Sequence, residues 1–107
     1  MIYIAGYGDY RGMARLHAEN FEHGWSAEDI AKLLQNQGAK GFIYAMHDMR
    51  VGFAIIQMTK EECEILTLVV AKSDQRKGIA SKLLEHVMGH VQKEGVKRVL
   101  LEVARIV

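Results

Sequence analysis

The feature of this sequence that most constrains its fold is an apolar strand that leads through a glycine turn into an amphipathic helix. The segment Cys63–Val70 is largely apolar on both faces, which is typical of a strand that helices cover on both sides. After the turn at Gly78, apolar residues recur at helical spacing until Gly95, and a last apolar strand, Val96–Val103, follows. A strand, a crossover helix and a second strand of one sheet form a right-handed unit with parallel strands. The sequence therefore predicts that the fold closes on a β-α-β unit.

The residue periods of this unit also predict which side chains share a face. Alternation along the strand puts one set on one side of the sheet: Cys63, Ile65, Thr67 and Val69. The other side carries Leu66, Leu68 and Val70. The helix is expected to turn one broad apolar stripe toward the sheet: Ile79, Leu83, Leu84, Val87, Met88 and Val91.

The part of the chain before this unit predicts two helices and an antiparallel meander. A helix follows from Asp9, and Ser26 is a suitable N-cap for a second helix that stops near Gly38. The predicted strands of this part are Ile2–Ala5, Gly41–His47 and Val51–Met58. Short polar turns join the last two strands to each other and to the strand at Cys63, and such turns join antiparallel neighbours. The predicted fold is therefore α/β (α+β) with a mixed sheet and the order β-α-α-β-β-β-α-β.

Length and composition are those of a single globular domain. The chain has 107 residues, of which half are hydrophobic and a quarter charged, so we expect residues 1–107 to form one domain. No apolar run approaches the roughly 20 residues of a membrane span, and the start lacks a signal-peptide pattern. The single cysteine, Cys63, cannot form an internal disulfide. We therefore expect a cytoplasmic protein without a membrane partner.

The charge of the chain is small overall and uneven along its length. A net charge of +1 does not indicate a nucleic-acid partner. Residues 72–107 carry eight basic side chains against four acidic ones, whereas residues 1–71 carry six against nine. A basic C-terminal part suits a small ligand that bears phosphate, and an acidic N-terminal part suits a cationic one. The alternative interpretation is an ordinary solvated surface.

The turn between the strand and the helix has the pattern Q-x-x-G-x-A, which begins at Gln75. A helix N-terminus offers free N–H groups and a partial positive charge, and both favour phosphate oxygens. Gly78 lets the backbone approach a ligand closely, Ala80 is small, and Arg76 and Lys77 add positive charge. The pattern therefore favours a phosphate-binding turn, with a plain strand-to-helix turn as the alternative.

Two other phosphate-binding motifs do not fit the sequence. The P-loop pattern G-x-x-x-x-G-K-[ST] does not occur. Gly6 and Gly8 follow the first strand as in a dinucleotide fingerprint, but the third glycine, Gly12, comes one position late. The segment about 20 residues on, where an acidic ribose ligand should end a strand, is the predicted helix start at Ser26.

The stretch from Leu66 to Leu84 resembles the core motif of the GNAT family of N-acetyltransferases. The residues that carry the resemblance are Leu66-Thr67-Leu68-Val69-Val70-Ala71, Gln75-Arg76-Lys77-Gly78-Ile79-Ala80 and Leu83-Leu84. Within the family, the chain is similar to the bacterial enzymes that acetylate the N-terminal alanine of a small-subunit ribosomal protein. The segments that carry this narrower likeness are Leu16-His17-Ala18-Glu19-Asn20-Phe21 with Trp25-Ser26, Glu64-Ile65-Leu66-Thr67-Leu68, and Leu101-Glu102-Val103.

This resemblance implies an acetyl-CoA-dependent transfer of acetyl to a primary amine, most naturally a protein N-terminus such as that of a ribosomal protein. It implies that the main chain of Leu68, Val69 and Val70 binds the pantetheine arm and that a strand N–H near Val69 stabilises the oxyanion. It implies Glu102 as the general base that takes a proton from the amine. The residues implied around the pyrophosphate are Gln75, Arg76, Lys77, Gly78, Ile79, Ala80 and Ser81. No metal is implied.

Other reactive or aromatic residues have simpler interpretations. Direct transfer needs no acyl-enzyme, so we expect Cys63 to be a small core residue. His86 and His90 have the i, i+4 spacing of a metal pair but lie off the predicted stripe, and no third ligand is evident. Phe21 and Trp25 belong either to the core or, as the resemblance implies, to the wall of a peptide groove. For Glu102, the alternative is an exposed strand carboxylate.

In the family, a strand like Val96–Val103 is followed by an asparagine, a helix with a tyrosine that protonates the thiolate, and a hairpin. The chain ends at Val107, so no residue is assigned these roles. We expect weak catalysis by the isolated chain and a dimer or larger oligomer through the C-terminal strand. The alternative function is a catalytically weak or inactive module that binds acyl-CoA or another protein.

Overall fold

A bulged, mixed sheet with helices on both faces organises the molecule, and the computed structural model describes residues 1–101. The strands are β1 (Ile2–Ile4), β2 (Ala39–Met46), β3 (Met49–Met58), β4 (Glu62–Val70) and β5 (Arg98–Leu101). The helices are α1 (Tyr10–Asn20), α2 (Ala27–Leu34) and α3 (Ile79–Lys93), with short 3-10 turns at Tyr7–Asp9 and Lys72–Asp74. The predicted order of strands and helices is confirmed.

The strands lie in the order β1-β2-β3-β4-β5. The first four are antiparallel to one another, and β5 is parallel to β4. Short turns join β2 to β3 and β3 to β4, as in a meander, whereas α1 and α2 lie between β1 and β2. The parallel pairing runs from Glu62 opposite Arg98 to Ile65 opposite Leu101. The predicted meander and closing β-α-β unit are therefore both confirmed.

A β-bulge in β4 overturns the predicted division of its side chains between the two faces. Ile55 of β3 lies opposite Thr67, but the next residue, Ile56, lies opposite Ile65, so Leu66 is an extra residue on β4. An extra residue reverses the alternation beyond it. The side chains that pack in the core beneath α3 are Cys63, Ile65, Leu68 and Val70. Those that pack toward α1 and α2 are Leu66 and Val69.

The stripe of α3 is narrower than predicted. Ile79, Leu83, Val87 and Val91 are buried, but Leu84 is half-buried and Met88 is 45% exposed. At about 100° per residue, Met88 lies about 120° from the centre of the buried stripe. This angle turns its side chain toward solvent.

The loop between α1 and α2 ends in the predicted cap. The hydroxyl of Ser26 accepts a hydrogen bond from the N–H of Asp29 at 3.1 Å, and the Asp29 carboxylate accepts one from the N–H of Ser26 at 3.2 Å. This capping box starts α2 at Ala27. The helix ends at Leu34, earlier than predicted, and Gly38 then adopts a left-handed φ of 84° at the start of β2.

A buried carboxylate fixes the start of α1 on the sheet. Asp9 accepts hydrogen bonds from the N–H of Gly6, the hydroxyl of Tyr3 and the Nε–H of Arg50, which lies 2.8 Å away on β3. Burial raises the pKa of Asp9, but these hydrogen bonds and the positive charge of Arg50 outweigh it and hold the pKa below its usual value. The carboxylate thus ties α1 to β1 and β3.

Candidate functional site

The edge of β4 that faces away from β3 carries main-chain groups of the residues that are predicted to bind the pantetheine arm. The N–H of Ala71 donates to the carbonyl of Val51 at 2.8 Å, which sets the direction of hydrogen bonds along the antiparallel pair. Because direction alternates from residue to residue, Leu68 and Val70 point their N–H and C=O groups away from β3. Val69 points its groups toward β3. Of the three residues that are predicted to bind the pantetheine arm through the main chain, only Leu68 and Val70 have their N–H and C=O groups on this edge.

The two parallel strands separate before this edge. Within residues 1–101, the pairing of β4 with β5 ends at Ile65 and Leu101. The N–H groups of Leu68 and Val70 therefore have no strand of the described part beside them. An extended ligand with amide groups can bind such an edge in the manner of an added strand.

The segment after β4 is held by side chains at the end of α1. The Nε2–H of Gln75 donates to the carbonyl of Val70 and to the side-chain oxygen of Asn20, both at 3.0 Å. Asn20 also donates to the carbonyl of Val70 at 3.3 Å, and the N–H of Lys72 donates to the Glu19 carboxylate at 2.9 Å. The carbonyl of Val70 is thus used by the protein, which leaves its N–H for a ligand. Sequence reasoning assigned no role to Asn20 or Glu19.

The turn into α3 contains two left-handed residues. Arg76 has a φ of 67° and Gly78, the N-cap residue of α3, has a φ of 85°. The left-handed conformation costs a residue other than glycine about 1–2 kcal/mol, so Arg76 is held against its preference. Successive main-chain N–H groups in such a turn form a concave site for anions, and no side chain of the N-cap residue occupies the first N–H groups of α3.

A cavity of about 240 Å³ lies at this turn. It is lined by Val70, Asp74, Gln75, Arg76, Gly78, Ile79, Ala80 and Ser81. An added Cβ atom at Gly78 would meet no atom within 4 Å, so this position faces open space. Of the residues predicted around the pyrophosphate, only Lys77 is not among those that line the cavity.

Lys77 is instead paired with an acidic neighbour. Its ammonium lies 3.1 Å from the carboxylate of Asp74; the Lys77 side chain is exposed and that of Asp74 is half-buried. The hydrogen bond from Lys77 holds the pKa of Asp74 below its usual value. Arg76, by contrast, has no ion pair among the described residues and remains available to an anion.

Comparison with known proteins shows to which family the chain belongs. The sequence profile of the acetyltransferase (GNAT) family matches residues 10–105. The chain belongs to the acetyltransferase (GNAT) family. The match includes β4, the left-handed turn and α3, so the residues that line the cavity lie within the matched part of the sequence.

Individual GNAT relatives are similar over most of this chain. The [ribosomal protein bS18]-alanine N-acetyltransferase of Escherichia coli (strain K12) is 32% identical over 94 residues, which are 84% of this chain and 62% of that protein. The protein of the same name from Haemophilus ducreyi is 37% identical over 73 residues, 66% of this chain and 50% of its own length. The chain therefore spans about half to three fifths of the curated relatives it matches.

Solved GNAT structures show the same fold. The crystal structure of the Escherichia coli ribosomal-protein-S18-alanine N-acetyltransferase has a TM-score of 0.88 at 25% identity and covers 96% of this chain and 66% of that one. The ribosomal-protein-alanine N-acetyltransferase of Brucella melitensis biovar Abortus 2308 has a TM-score of 0.82 at 19% identity, with 96% and 79% covered. These two solved structures therefore share the overall fold of this chain.

Two further residues, Glu102 and Cys63, have a role that is predicted from the sequence. Glu102 lies outside the described residues, so its role stays a prediction. Cys63 is fully buried, and burial, with a smaller contribution from nearby Glu64, raises the pKa of its thiol to about 11. A protonated thiol in the core is a poor nucleophile, and the prediction of a core residue is confirmed.

The helical histidine pair packs on an aromatic ring. The rings of His86 and His90 lie edge-on to Phe42, with centroid distances of 5.1 and 5.4 Å. Burial lowers the pKa of His90, whose Nε2 is buried without a hydrogen-bond partner among the described residues. Within residues 1–101, no group of three or more histidine, cysteine, aspartate or glutamate side chains is placed to hold a metal. In the same part of the chain, no helix is long and apolar enough to cross a membrane.

Proposed function

We propose that this chain binds acetyl-CoA along the edge of β4 and at the turn into α3, and that it transfers the acetyl group to a primary amine. The observation that supports the proposal is a strand edge with which no strand of residues 1–101 pairs beyond Ile65, and which leads directly into a left-handed turn of the kind that suits an anion. This arrangement occurs in a chain that belongs to the acetyltransferase (GNAT) family. The acceptor proposed is the α-amino group of a protein, because the named relatives act on an alanine of a ribosomal protein.

The residues at the turn fit the chemistry of a CoA ester. The N–H groups of Leu68 and Val70 match the amide carbonyls of a pantetheine arm. The main-chain N–H groups of residues 76–81 and the positive end of the 15-residue helix α3 suit a pyrophosphate. Arg76 supplies a guanidinium that is not neutralised by an acidic partner among the described residues. Bound acetyl-CoA supplies an acetyl thioester, which is already activated for attack by an amine.

Two proton and charge tasks then fall to the protein. The acceptor arrives as an ammonium ion and has to lose a proton before its nitrogen can react, and Glu102 is the base proposed for this step. Negative charge develops on the carbonyl oxygen during transfer, and the N–H of Leu68 or Val70 can stabilise it. Cys63 takes no part, because its thiol is buried and protonated.

A transfer assay with a short peptide that begins with alanine tests the proposed function. We expect acetylation at the peptide N-terminus that depends on acetyl-CoA. A peptide with a blocked N-terminus and an internal lysine is the control, and it should remain unmodified. Binding of CoA without transfer would support the alternative of a non-catalytic acyl-CoA-binding module, and the absence of binding would contradict both functions.

A second copy of this chain is the partner proposed for the outer edge of β5. This strand is the last of the sheet, and no strand of residues 1–101 pairs with its outer edge. Leu100 and Leu101 are each 44% exposed there. Unpaired strand edges with apolar side chains favour association.

Light scattering at micromolar concentration is expected to give the mass of a dimer or a larger oligomer. The double variant Leu100→Lys with Leu101→Lys should shift the mass to that of a monomer, because charge at the edge opposes pairing. Met49→Lys is the control, since Met49 is also exposed but lies on β3. A soluble wild-type monomer would contradict the proposed oligomer.

A further inference from the structure

A histidine buried among aromatic rings lies at the end of α1. The side chain of His17 stacks on Phe21 and on Trp25, each with a centroid distance of 4.5 Å, and Phe53 of β3 lies at 6.5 Å. His17 is 4% exposed, although histidine is fully buried less often than the apolar residues are. The rings around it are uncharged, so its environment favours the neutral imidazole.

One hydrogen bond defines the protonation state that this arrangement needs. The Nδ1 atom of His17 accepts a hydrogen bond from the main-chain N–H of Trp25 at 3.0 Å. An acceptor nitrogen has no proton, so the imidazole is neutral with its hydrogen on Nε2. A proton added to Nδ1 would place two donors against each other and break this bond. The geometry therefore depends on a neutral His17.

The bond closes the loop between α1 and α2, which consists of residues 21–26. This loop is tightly packed, since a Cβ atom at Gly24 would lie 2.7 Å from the Cα of Ala18. Its other end is the capping box of α2 at Ser26. Trp25 is the residue just before that cap, so the hydrogen bond to His17 sets where α2 begins relative to α1.

The same end of α1 also contacts β4, the strand that is proposed to bind the cofactor. Asn20, one turn after His17, donates to the carbonyl of Val70 on β4. The turn of residues 75–78, called the cofactor turn below, leads into α3 on one face of the sheet. The other face carries α1, the loop, Trp25 and Val69. A ligand that lies along the edge of β4 would have its phosphate end at the cofactor turn. The acceptor would then approach from the other face, on which the loop of residues 21–26 lies.

We propose that His17 is a positioning residue that, as a neutral hydrogen-bond acceptor, fixes the loop of residues 21–26 on the acceptor side of the cleft. Protonation of His17 at acid pH then breaks its hydrogen bond to Trp25 and frees the loop of residues 21–26. The cofactor turn keeps its own hydrogen bonds. The inference rests on the proposed function for the meaning of the two sides, but the link between protonation and the loop stands on the contacts of His17 alone.

The direction of the pH effect follows from burial. Burial lowers the pKa of His17 below its ordinary value of 6.5, and no charged neighbour contributes to this shift. The aromatic rings that contact His17 come from the loop and β3, namely Phe21, Trp25 and Phe53, and none of these titrates. An opened loop would expose an ordinary histidine, which gains a proton as the pH falls below about 6.5. The closed loop is therefore stable above that pH and loses stability below it.

The fluorescence of Trp25 measures the loop directly, because it is the only tryptophan of the chain. We expect its emission to change between pH 7.5 and pH 5, while the far-ultraviolet circular dichroism stays constant. His17→Asn should abolish this change, because an asparagine side-chain oxygen can accept the same hydrogen bond without titrating. His23→Asn is the matched control: His23 is exposed on the same loop, so the titration should persist. A titration unchanged by His17→Asn, or one that accompanies global unfolding, would overturn the inference.

A measurement on the unaltered protein keeps the test valid if the variant does not fold. The ¹⁵N shifts of the His17 imidazole at pH 7.5 should show an unprotonated Nδ1, and a proton on that atom would overturn the inference. For the enzyme, the KM of the acceptor peptide at acid pH should rise about fivefold more in the wild type than in His17→Asn, the effect of one lost hydrogen bond, while the Kd of CoA stays constant. Protonation of the acceptor amine affects both proteins equally. Loss of CoA affinity over the same pH range would contradict the separation of the two sides. A failure of transfer at every pH would count against the proposed function and leave the fluorescence result intact.

Discussion

Replacing Gly78 with tryptophan is expected to abolish the binding of CoA while the protein stays folded. An added Cβ at this position meets no atom within 4 Å, so the indole would extend into the open space at the mouth of the cavity. It would occupy the space that the pyrophosphate needs. The backbone has a φ of 85° here, so any side chain also adds strain of about 1–2 kcal/mol. That cost is small beside the roughly 5–15 kcal/mol by which a typical domain is stable.

A matched glycine at the other end of the same helix separates the two effects. Gly95 also has a left-handed φ, of 76°, and also faces open space. Gly95→Trp should therefore add similar strain and leave CoA binding unchanged in titration calorimetry. If Gly78→Trp binds CoA as the wild type does, the cofactor site lies elsewhere. If both variants lose binding, the loss reports on the fold and not on the turn.

The order of the elements could be predicted because local signals mark each one. The capping residue Ser26 and the helical period before Gly95 are properties of short segments, and both predicted helices form. Packing decided only how much of the predicted stripe of α3 is buried. A turn at Gly78 was predicted for the same reason, and its left-handed conformation, which was not predicted from the sequence, is one that glycine adopts at low cost. Arg76 adopts it as well, and nothing in its residue type indicates that.

The bulge in β4 could not be predicted, because its sequence carries no local sign of it. From Ile65 to Val70 both faces of β4 are apolar except at Thr67, so a shift of one residue at Leu66 mostly replaces apolar side chains by other apolar side chains. A strand with one polar face would have revealed the shift as a break in its alternation. The bulge matters for the site, since the alternation after it decides which main-chain groups of Leu68 and Val70 face the cleft.

The contacts that hold the site together join distant parts of the chain. Asn20 and Val70 are 50 residues apart, and Glu19 and Lys72 are 53 residues apart. A period or a motif describes a single segment, so it cannot show that the end of α1 supports the segment after β4. A polar residue at a helix end, such as Asn20, is the one available signal, and it is a weak one because capping explains it equally well.

Replacing Glu102 with glutamine is expected to reduce acetyl transfer about 10²–10⁴-fold, the usual effect of losing a general base. Glutamine keeps the size and polarity of the side chain but cannot take a proton. The acceptor α-amino group has a pKa near 7.7–8.0, so at pH 6.5 only about a twentieth of it is neutral. A base is most needed under these conditions, and the variant should therefore be most impaired below neutral pH.

The pH profile distinguishes a base from a residue that merely supports the fold. As the pH rises above the pKa of the acceptor amine, more of the substrate is already neutral. The loss of transfer rate in Glu102→Gln should therefore become smaller. The Kd of CoA should stay close to that of the wild type, because the proposed cofactor contacts lie on β4 and at the turn. A structural role predicts a deficit that is constant with pH and a weaker affinity for CoA.

Glu94→Gln provides the matched control for this variant, since it makes the same chemical change at an exposed position after α3. Its rate and pH profile should equal those of the wild type. Steady-state rates from pH 6 to pH 9 with the alanine peptide measure both variants. A wild-type rate for Glu102→Gln across this range would remove the residue from the mechanism, and the amine would then have to lose its proton to water or to another side chain.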